Sequence, residues 1–423
     1  MPVIEHLSAL EILDSRGRPT VGVCCRLEGG ASAWASVPSG ASTGKAEAME
    51  LRDGDKSRYG GLGCKKAAAN VNGPIRQALA RHETPSQQHL DEALLALDGT
   101  SDKSRLGANA ILAVSIAFAR ACALAEGIPL YRHFAHLLGQ SPRTLPRLTV
   151  NLFSGGKHAG GQVPIQDVLV VPLSAASIDE SLSTTYAVYQ AAAALTAAKY
   201  GSRALAADEG GLAPPFPGID AMLEDAVESI RAAGFEPGRD VGLAVDVASS
   251  HFHQGGRYHL GADPLTGSGM IDQIVRWLDR YPILSVEDGL AEDDWDHWPL
   301  LRAKVGDRAL VLGDDLLCTN PRRIRRAIET KSATALLLKV NQIGTLTEAA
   351  SALSLARSAG WSVTVSARSG ETEDDWLADL ATGWSGDQIK VGSTTRSERL
   401  SKYNRLLAIE SESKLPLASW PQK

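Results

Sequence analysis

The sequence predicts an α/β protein in which an N-terminal α+β region precedes an eight-stranded (β/α)8 barrel. Three observations support this fold class. The chain has 423 residues, enough for about two or three domains. Strand-like segments precede helical ones in the first 140 residues, whereas short apolar strands alternate with helices after residue 147. A linker-like segment with two prolines, residues 139–147, separates the two patterns.

We therefore predict an N-terminal domain over residues 1–140 and a barrel domain over residues 141–423. The N-terminal strands are predicted at 3–13, 20–27 and 32–37, followed by a glycine- and serine-rich loop at 39–47. The helices are predicted at 65–79, 86–97 and 108–126. In the last of these, small and apolar residues occur on all sides, which is typical of a buried helix.

Eight predicted strands form the barrel, and the last six end on charged residues. The first two strands are predicted at 147–152 and 166–171, and the others end at Asp246, Glu287, Asp314, Lys339, Arg368 and Lys390. The carboxyl ends of barrel strands form the face that carries the active site. Each charge could instead only mark where a strand enters solvent. Because six consecutive strands share the feature, we favour an active site.

Composition excludes several functional classes. The net charge of −6 argues against a broad cationic surface for nucleic acid or anionic lipid. No uncharged apolar run approaches the ~20 residues of a membrane span, and the N-terminus lacks the pattern of a signal peptide. The five scattered cysteines include no CxxC pair. We expect a reduced cytoplasmic protein without nucleic-acid or membrane partners.

The three acids at strand ends suggest a metal site. Asp246, Glu287 and Asp314 would repel one another at one barrel mouth, and a hard divalent cation would relieve that repulsion. Oxygen-only ligands favour magnesium over zinc. Alternatively, the acids could form salt bridges with Lys339 and Lys390, which we expect at the ends of neighbouring strands. The sequence leaves both arrangements open.

The two lysines suggest a reaction, and two further segments suggest anion binding. A lysine near a second cation and a metal is expected to have a lowered pKa and could remove a proton α to a carboxylate. Metal charge would stabilise the resulting enolate. The loop at 39–44 could bind an anion or could be only a turn, and Arg368 with Ser369 suits a phosphate. Neither segment matches a P-loop or a dinucleotide fingerprint.

Beyond these features, the chain resembles the enolase (phosphopyruvate hydratase) family from end to end. The stretches that carry the resemblance are ILDSRGRPTV (12–21), VPSGASTGKAEAMELRD (37–53), LGANAILAVSIAFARA (106–121), ADEGGLAP (207–214), DVASS (246–250), VED (286–288), EDDW (292–295), LGDDLLCTNPRRI (312–324), LLKVNQIGTLTEA (337–349), SARSGETED (366–374) and QIKVGSTTRSERLSKYNRLLAIE (388–410). The resemblance implies an N-terminal α+β domain, with a mobile loop at 39–47, that caps a barrel whose first strands are antiparallel. It also implies two magnesium ions per active site and a homodimer or larger even assembly.

The resemblance further implies a role for each site residue. On the metal and base side, Asp246, Glu287 and Asp314 resemble ligands of the structural magnesium, Ser42 a ligand of the second magnesium, Lys339 the base at C2, and Lys390 the lysine that holds the substrate carboxylate. On the leaving-group and phosphate side, Glu209 resembles the acid that assists departure of the C3 hydroxyl, His158 the loop histidine that closes over the substrate, Asp167 the acid of the family's QEF motif, and Arg368 with Ser369 the phosphate contacts.

Several positions depart from the family pattern. Ala367 stands where the family has histidine in SHRSGE, and Asp167 stands where it has glutamate. The loop at 151–162 reads NLFSGGKHAGGQ where the family has an asparagine-rich NGGxHAxN. Gly289 replaces a proline, and His251 replaces an acid. The changes at Ala367, Asp167 and the loop fall on the leaving-group and phosphate side, whereas the proton-abstraction side is intact.

This asymmetry leaves three hypotheses. The first is a glycolytic enolase that converts 2-phosphoglycerate to phosphoenolpyruvate. The second is an enolase-like enzyme that applies the same enolate chemistry to another phosphorylated or phosphonate carboxylate, for example to give a carboxyphosphonoenolpyruvate-type product. The third is a catalytically silent binding protein. We favour it least because a protein without catalytic activity would not need Lys339, Glu209 and the three acids predicted to bind metal.

Overall fold

The computed structural model describes residues 1–41, 43–201 and 205–421, which form a three-stranded sheet, a closed eight-stranded barrel and a two-stranded ribbon. The strands are β1 (Ile4–Leu13), β2 (Pro19–Leu27), β3 (Ser32–Ser36), β4 (Arg147–Ser154), β5 (Asp167–Pro172), β6 (Val241–Asp246), β7 (His253–Gln254), β8 (Arg257–Tyr258), β9 (Ile283–Glu287), β10 (Leu310–Gly313), β11 (Ala335–Leu338), β12 (Ser362–Ser366) and β13 (Gln388–Lys390). The helices are α1 (Lys65–Asn70), α2 (Arg76–Leu79), α3 (Gln87–Asp98), α4 (Ala108–Glu126), α5 (Leu130–Leu137), α6 (Ile178–Tyr200), α7 (Ile219–Ala232), α8 (Gly267–Arg280), α9 (Trp298–Val305), α10 (Pro321–Glu329), α11 (Val340–Ile343), α12 (Leu346–Ser358), α13 (Trp376–Gly383) and α14 (Ser397–Ser413). The predicted α/β class with an eight-stranded barrel is confirmed.

The N-terminal sheet is an antiparallel meander of β1, β2 and β3, covered by helix α4. Nearly every residue of α4 from Ala108 to Ala123 is buried, as its uniform small and apolar composition predicts. Within the described part of the chain it is the one helix long and apolar enough to cross a membrane. Its position in the core explains that composition. The predicted helix at 65–79 is interrupted by a π-helical segment, Val71–Ile75, because Pro74 lacks the N–H that a regular helix needs.

The barrel strands are arranged in the order β10-β11-β12-β13-β4-β5-β6-β9. The parallel sheet expected from the strand–helix alternation is wrong for two pairs, since β5 runs antiparallel to both β4 and β6. The physical reason is the β4–β5 connection, which contains only a single 3-10 turn, Gly156–His158. A parallel return needs a longer crossover, usually through a helix. The antiparallel start that the family resemblance implies is therefore confirmed.

The same order corrects the expected position of the two lysines. Lys390 ends β13 and Lys339 directly follows β11, so strand β12 lies between them. They are not on neighbouring strands, but both lie at the carboxyl ends of the parallel strands. There they reach the same cavity.

The loop that follows β3 crosses this barrel mouth. Ser39 and Gly370 exchange two backbone hydrogen bonds, of 2.8 and 3.0 Å. Further along, the Lys45 amide donates to Glu292 at 3.0 Å and the Lys45 amine lies 2.5 Å from Asp293. The described residues of this loop, on either side of position 42, are thus fastened to the barrel.

Candidate active site

The predicted acids and lysines meet at the barrel mouth as buried ion pairs. Asp246 and Glu287 are register partners at the ends of β6 and β9. The Lys390 Nζ lies 2.8 Å from Asp246 Oδ2 and 2.8 Å from Glu287 Oε2. The Lys339 Nζ lies 2.5 Å from Asp314 Oδ2. In this structure each acid is therefore paired with a lysine, which is the salt-bridge arrangement that the sequence left open.

The charges of the cluster nevertheless favour a further cation. Burial and the neighbouring carboxylates of Asp246 and Asp314 raise the pKa of Glu287 well above its usual range, despite the contact with Lys390. Burial alone would raise the pKa of Asp246 as well, but Lys390 lowers it to about 2. The lysines thus do not suffice to keep all three acids ionised. Asp246, Glu287 and Asp314 offer only oxygen donors, a set that fits magnesium.

The lowered lysine pKa is expected for a lysine beside a metal, whereas here both lysines pair with carboxylates. Burial alone would lower the pKa of Lys339, but the carboxylates of Asp314 and Glu287 outweigh it and raise the pKa above its ordinary value. The same applies to Lys390, whose pKa is raised well above the ordinary value by Asp246 and Glu287 in spite of burial. The pairing with carboxylates is the physical reason. Ser42, the predicted ligand of a second magnesium, lies outside the described residues.

A second cluster joins His158, Asp167 and Glu209, and it adjoins the first because Asp167 is the ladder register partner of Asp246. The His158 Nδ1 lies 2.8 Å from Asp167 Oδ2, and its Nε2 lies 3.8 Å from Glu209 Oε1. All three side chains are buried. Asp167 keeps contact with His158 although its side chain is one methylene shorter than glutamate.

Within this cluster, the neighbouring carboxylates favour the protonated form of His158. Burial alone would lower the pKa of His158, but the carboxylates of Asp167 and Glu209 raise it to about 9. Burial would raise the pKa of Glu209, but His158 and Arg399 lower it overall. At neutral pH, His158 is therefore an imidazolium next to an ionised Glu209. Glu209 itself carries no proton in this state. A proton from His158 could reach a leaving group by way of Glu209.

The two predicted phosphate contacts lie next to each other after β12. Arg368 is buried, and its guanidinium contacts both carboxylate oxygens of Glu47, at 3.0 and 3.2 Å. Ser369 accepts a hydrogen bond of 3.2 Å from the Arg16 guanidinium. Glu47 belongs to the loop that crosses the barrel mouth. An incoming phosphate would therefore have to displace a carboxylate to reach Arg368.

One cavity connects these groups. Its wall includes His158, Glu209, Lys339, Lys390 and Arg368, together with Ala367. Ala367 therefore contributes only a methyl group to the cavity wall, where a histidine would contribute an imidazole.

Several residues of the site were not predicted from the sequence. Ser154 donates to Asp167 and Asn151 to Glu209, while Gln166 and Gln342 each donate to a carboxylate of the acid cluster. Arg399 is buried and donates to the carbonyls of Arg368 and Ser369. Ser154 and Asn151 lie in the segment 151–162, which departs from the family pattern. That departure is the only feature of the sequence that points to them. Arg399 lies on a charged helix, α14, where an arginine normally indicates a solvated face.

Comparison with known proteins matches both parts of the chain. The family model "Enolase, N-terminal domain" matches residues 4–134, and "Enolase, C-terminal TIM barrel domain" matches residues 142–416. The chain is also 48% identical over 412 residues to "Enolase 1" of Methylococcus capsulatus, and the match covers 97% of each protein.

Proposed function

This chain belongs to the enolase family, and we propose that it catalyses the reversible, magnesium-dependent dehydration of 2-phosphoglycerate to phosphoenolpyruvate. As a member of this family it is a carbon–oxygen lyase of the phosphopyruvate hydratase type. We also propose that magnesium is the metal, that 2-phosphoglycerate is the substrate, and that the protein acts in glycolysis and gluconeogenesis. The observation that carries it is the shared cavity, whose wall includes Lys339 and Asp246 together with the Glu209–His158 pair.

Lys339 is proposed as the base that takes the proton from C2. Asp246, Glu287 and Asp314 would hold magnesium, whose charge, when it is bound, stabilises the enolate that forms next to the substrate carboxylate. The carboxylates of Asp314 and Glu287 raise the pKa of Lys339, so using both as metal ligands would weaken the interactions that favour the charged amine. Lys390 would likewise exchange its carboxylate partners for the carboxylate of the substrate.

Glu209 and His158 are proposed to assist departure of the C3 hydroxyl. Glu209 is ionised in this arrangement, whereas His158 is protonated. The distance between His158 Nε2 and Glu209 Oε1 is 3.8 Å. His158 therefore supplies the proton and Glu209 passes it to the leaving hydroxyl. In the reverse direction Glu209 acts as the base for the attacking water. Asp167 raises the pKa of His158 and orients its ring.

The departures at Ala367 and Asp167 motivate a second candidate function. Both residues have smaller side chains than the family pattern; Ala367 lines the cavity, and Asp167 contacts His158. The loss of the imidazole and the shorter acid would suit another phosphorylated or phosphonate carboxylate. If this is the function, 2-phosphoglycerate turnover will be poor at saturating magnesium. The double variant Ala367→His with Asp167→Glu should then raise it, and no gain would count against this explanation.

Steady-state kinetics with 2-phosphoglycerate tests the first proposal. Phosphoenolpyruvate formation is followed by its ultraviolet enol absorbance with and without magnesium. Lys339→Ala should abolish the reaction, whereas Lys304→Ala, an exposed lysine on α9, serves as the matched control and should not change it. Wild-type protein that binds magnesium but does not convert 2-phosphoglycerate would refute the proposal.

We also propose that the protein is a homodimer or larger even assembly. The N-terminal sheet exposes large apolar side chains, with Leu10 at 61%, Leu13 at 52% and Trp34 at 39% exposure. The Trp34 ring lies over Gly22, where an added Cβ would meet it at 2.0 Å. Covering this surface would stabilise an assembly. Light scattering of the purified protein gives the mass directly, and a monomer would contradict the proposal.

A further inference from the structure

We propose that Ser154 is a positioning residue for the leaving-group step, because its hydroxyl orients Asp167, which in turn holds His158 towards Glu209. This inference rests on the proposed function. Ser154 is the last residue of β4 and Asp167 the first of β5, and the two are register partners in the antiparallel ladder. The Ser154 hydroxyl donates to Asp167 Oδ1 at 2.6 Å, and both side chains are fully buried.

The hydroxyl determines which way the carboxylate faces. A carboxylate on one rotatable bond has two oxygens, and the hydrogen bond from Ser154 engages only Oδ1. The other oxygen, Oδ2, is thereby directed at His158 Nδ1, 2.8 Å away. An O–H donor to a carboxylate gives a short and strong hydrogen bond. The orientation of His158 thus depends on a contact with a residue that does not line the cavity.

Glu209 is held from its own side, which leaves His158 as the adjustable member. Asn151 Nδ2 donates to Glu209 Oε2 at 3.1 Å, while Glu209 Oε1 faces His158 Nε2 at 3.8 Å. Losing the Ser154 contact would let Asp167 and His158 rotate while Glu209 stays in place. The distance over which the proton moves would then change, and misplacement by about 1 Å can cost 100-fold in rate.

Gly211 leaves the space that the Ser154 hydroxyl occupies. A Cβ at Gly211 would lie 2.5 Å from Ser154 Oγ, whereas the next nearest atom, Asn151 Cβ, would be 3.5 Å away. The backbone of Gly211 is not among the positive-φ glycines, so an alanine is compatible with its conformation. A side chain at this position therefore collides with one group only, and that group is the hydroxyl in question.

These contacts allow a double-mutant cycle. Ser154→Ala removes the hydroxyl, Gly211→Ala displaces it, and the double variant has no hydroxyl left to displace. Ser229→Ala is the matched control, because Ser229 is also fully buried and donates to a backbone carbonyl, that of Asp225, at 2.6 Å. Two rates are measured for each protein with 2-phosphoglycerate and magnesium: exchange of the C2 proton with deuterated solvent, and formation of phosphoenolpyruvate.

The expected result separates the two chemical steps. Ser154→Ala and Gly211→Ala should each lower phosphoenolpyruvate formation about 10- to 100-fold while C2 proton exchange stays within about twofold of wild type. The double variant should be no worse than Ser154→Ala, and Ser229→Ala should lower neither rate. Equal losses in both rates, no loss in Ser154→Ala, or additive losses in the double variant would overturn the proposal.

A spectroscopic measurement keeps the test independent of turnover. With ¹⁵N-labelled histidine, the His158 Nδ1 signal should move in Ser154→Ala but not in Ser229→Ala, because only the former frees Asp167. An unmoved signal overturns the positioning role even if activity falls. Wild-type protein that forms no phosphoenolpyruvate refutes the proposed function instead, and this signal still decides whether Ser154 positions Asp167 and His158.

Discussion

Replacing Asp167 with asparagine removes the negative charge nearest to His158 while preserving the shape of the side chain. Asp167 is fully buried, and its carboxylate lies 2.8 Å from His158 Nδ1. An asparagine has only one carbonyl oxygen, so it cannot accept from both Ser154 and His158 as the carboxylate does. We therefore expect the pKa of His158 to fall in Asp167→Asn.

The size of the effect follows from the pKa of His158. Its rise from 6.5 to about 9 corresponds to about 3 kcal/mol of interaction, supplied against burial by Asp167 and, with a longer contact, by Glu209. Because the pKa is raised in the folded state, this stabilisation is fully present below pH 6.5 and is lost as the pH rises through about 9. The free energy of unfolding should thus fall by up to about 3 kcal/mol across that window, and by clearly less in Asp167→Asn.

Two measurements check this prediction. An NMR titration of the His158 ring should give a pKa well above 6.5 in wild type and at least about one unit lower in Asp167→Asn. Urea unfolding across the same pH range should show the corresponding difference in stability. Asp225→Asn is a suitable control, since Asp225 is equally buried but pairs with Lys199 rather than with a residue of the site. An unchanged pKa of His158 in Asp167→Asn would refute the electrostatic reasoning.

Three further predictions concern the base, the metal and the barrel. Lys339→Ala should abolish C2 proton exchange while magnesium still raises the melting temperature; substantial exchange would exclude Lys339 as the base. Magnesium at about 100 times its Kd should stabilise the wild-type protein by about 2.7 kcal/mol, measured by thermal unfolding. Asp246→Asn should lose most of this stabilisation. Equal stabilisation of the two proteins would mean that Asp246 is not a ligand of the metal. Arg147 donates to four backbone carbonyls, those of Pro172, Leu173, Ala175 and Ala418. Arg147→Ala should therefore lower the free energy of unfolding in urea by about 3 kcal/mol, whereas Arg143→Ala, at an exposed position, should not. Equal stability of the two variants would contradict this prediction.

The sequence predicted the barrel and the convergence of its charged strand ends, because strand patterning and strand polarity are local properties. Asp246, Glu287 and Lys390 could be placed at one mouth from their positions at strand ends alone. Strand direction was less accessible: the antiparallel pairing of β5 depends on the short β4–β5 connection, which the residue pattern alone does not distinguish from a crossover. Only the family resemblance indicated it.

The contacts within the site were harder to predict, because they depend on register and rotamers across distant segments. Glu47 pairs with Arg368 from another domain, and Ser154 meets Asp167 only through the ladder register. The raised pKa of Lys339 has the same origin, since it requires knowing that Asp314 lies within 2.5 Å. Buried arginines such as Arg399 gave no signal, because a charged residue on a helix is normally solvated.

The most direct test of the central claim is the turnover of 2-phosphoglycerate by the purified protein with magnesium. The proposed function predicts formation of phosphoenolpyruvate at roughly 1–1,000 per second, the range of ordinary enzymes. This result would make Ala367 and Asp167 tolerated variations within a working site. Turnover lower by orders of magnitude, with magnesium still bound, would contradict the claim and assign the enolate chemistry to a different substrate.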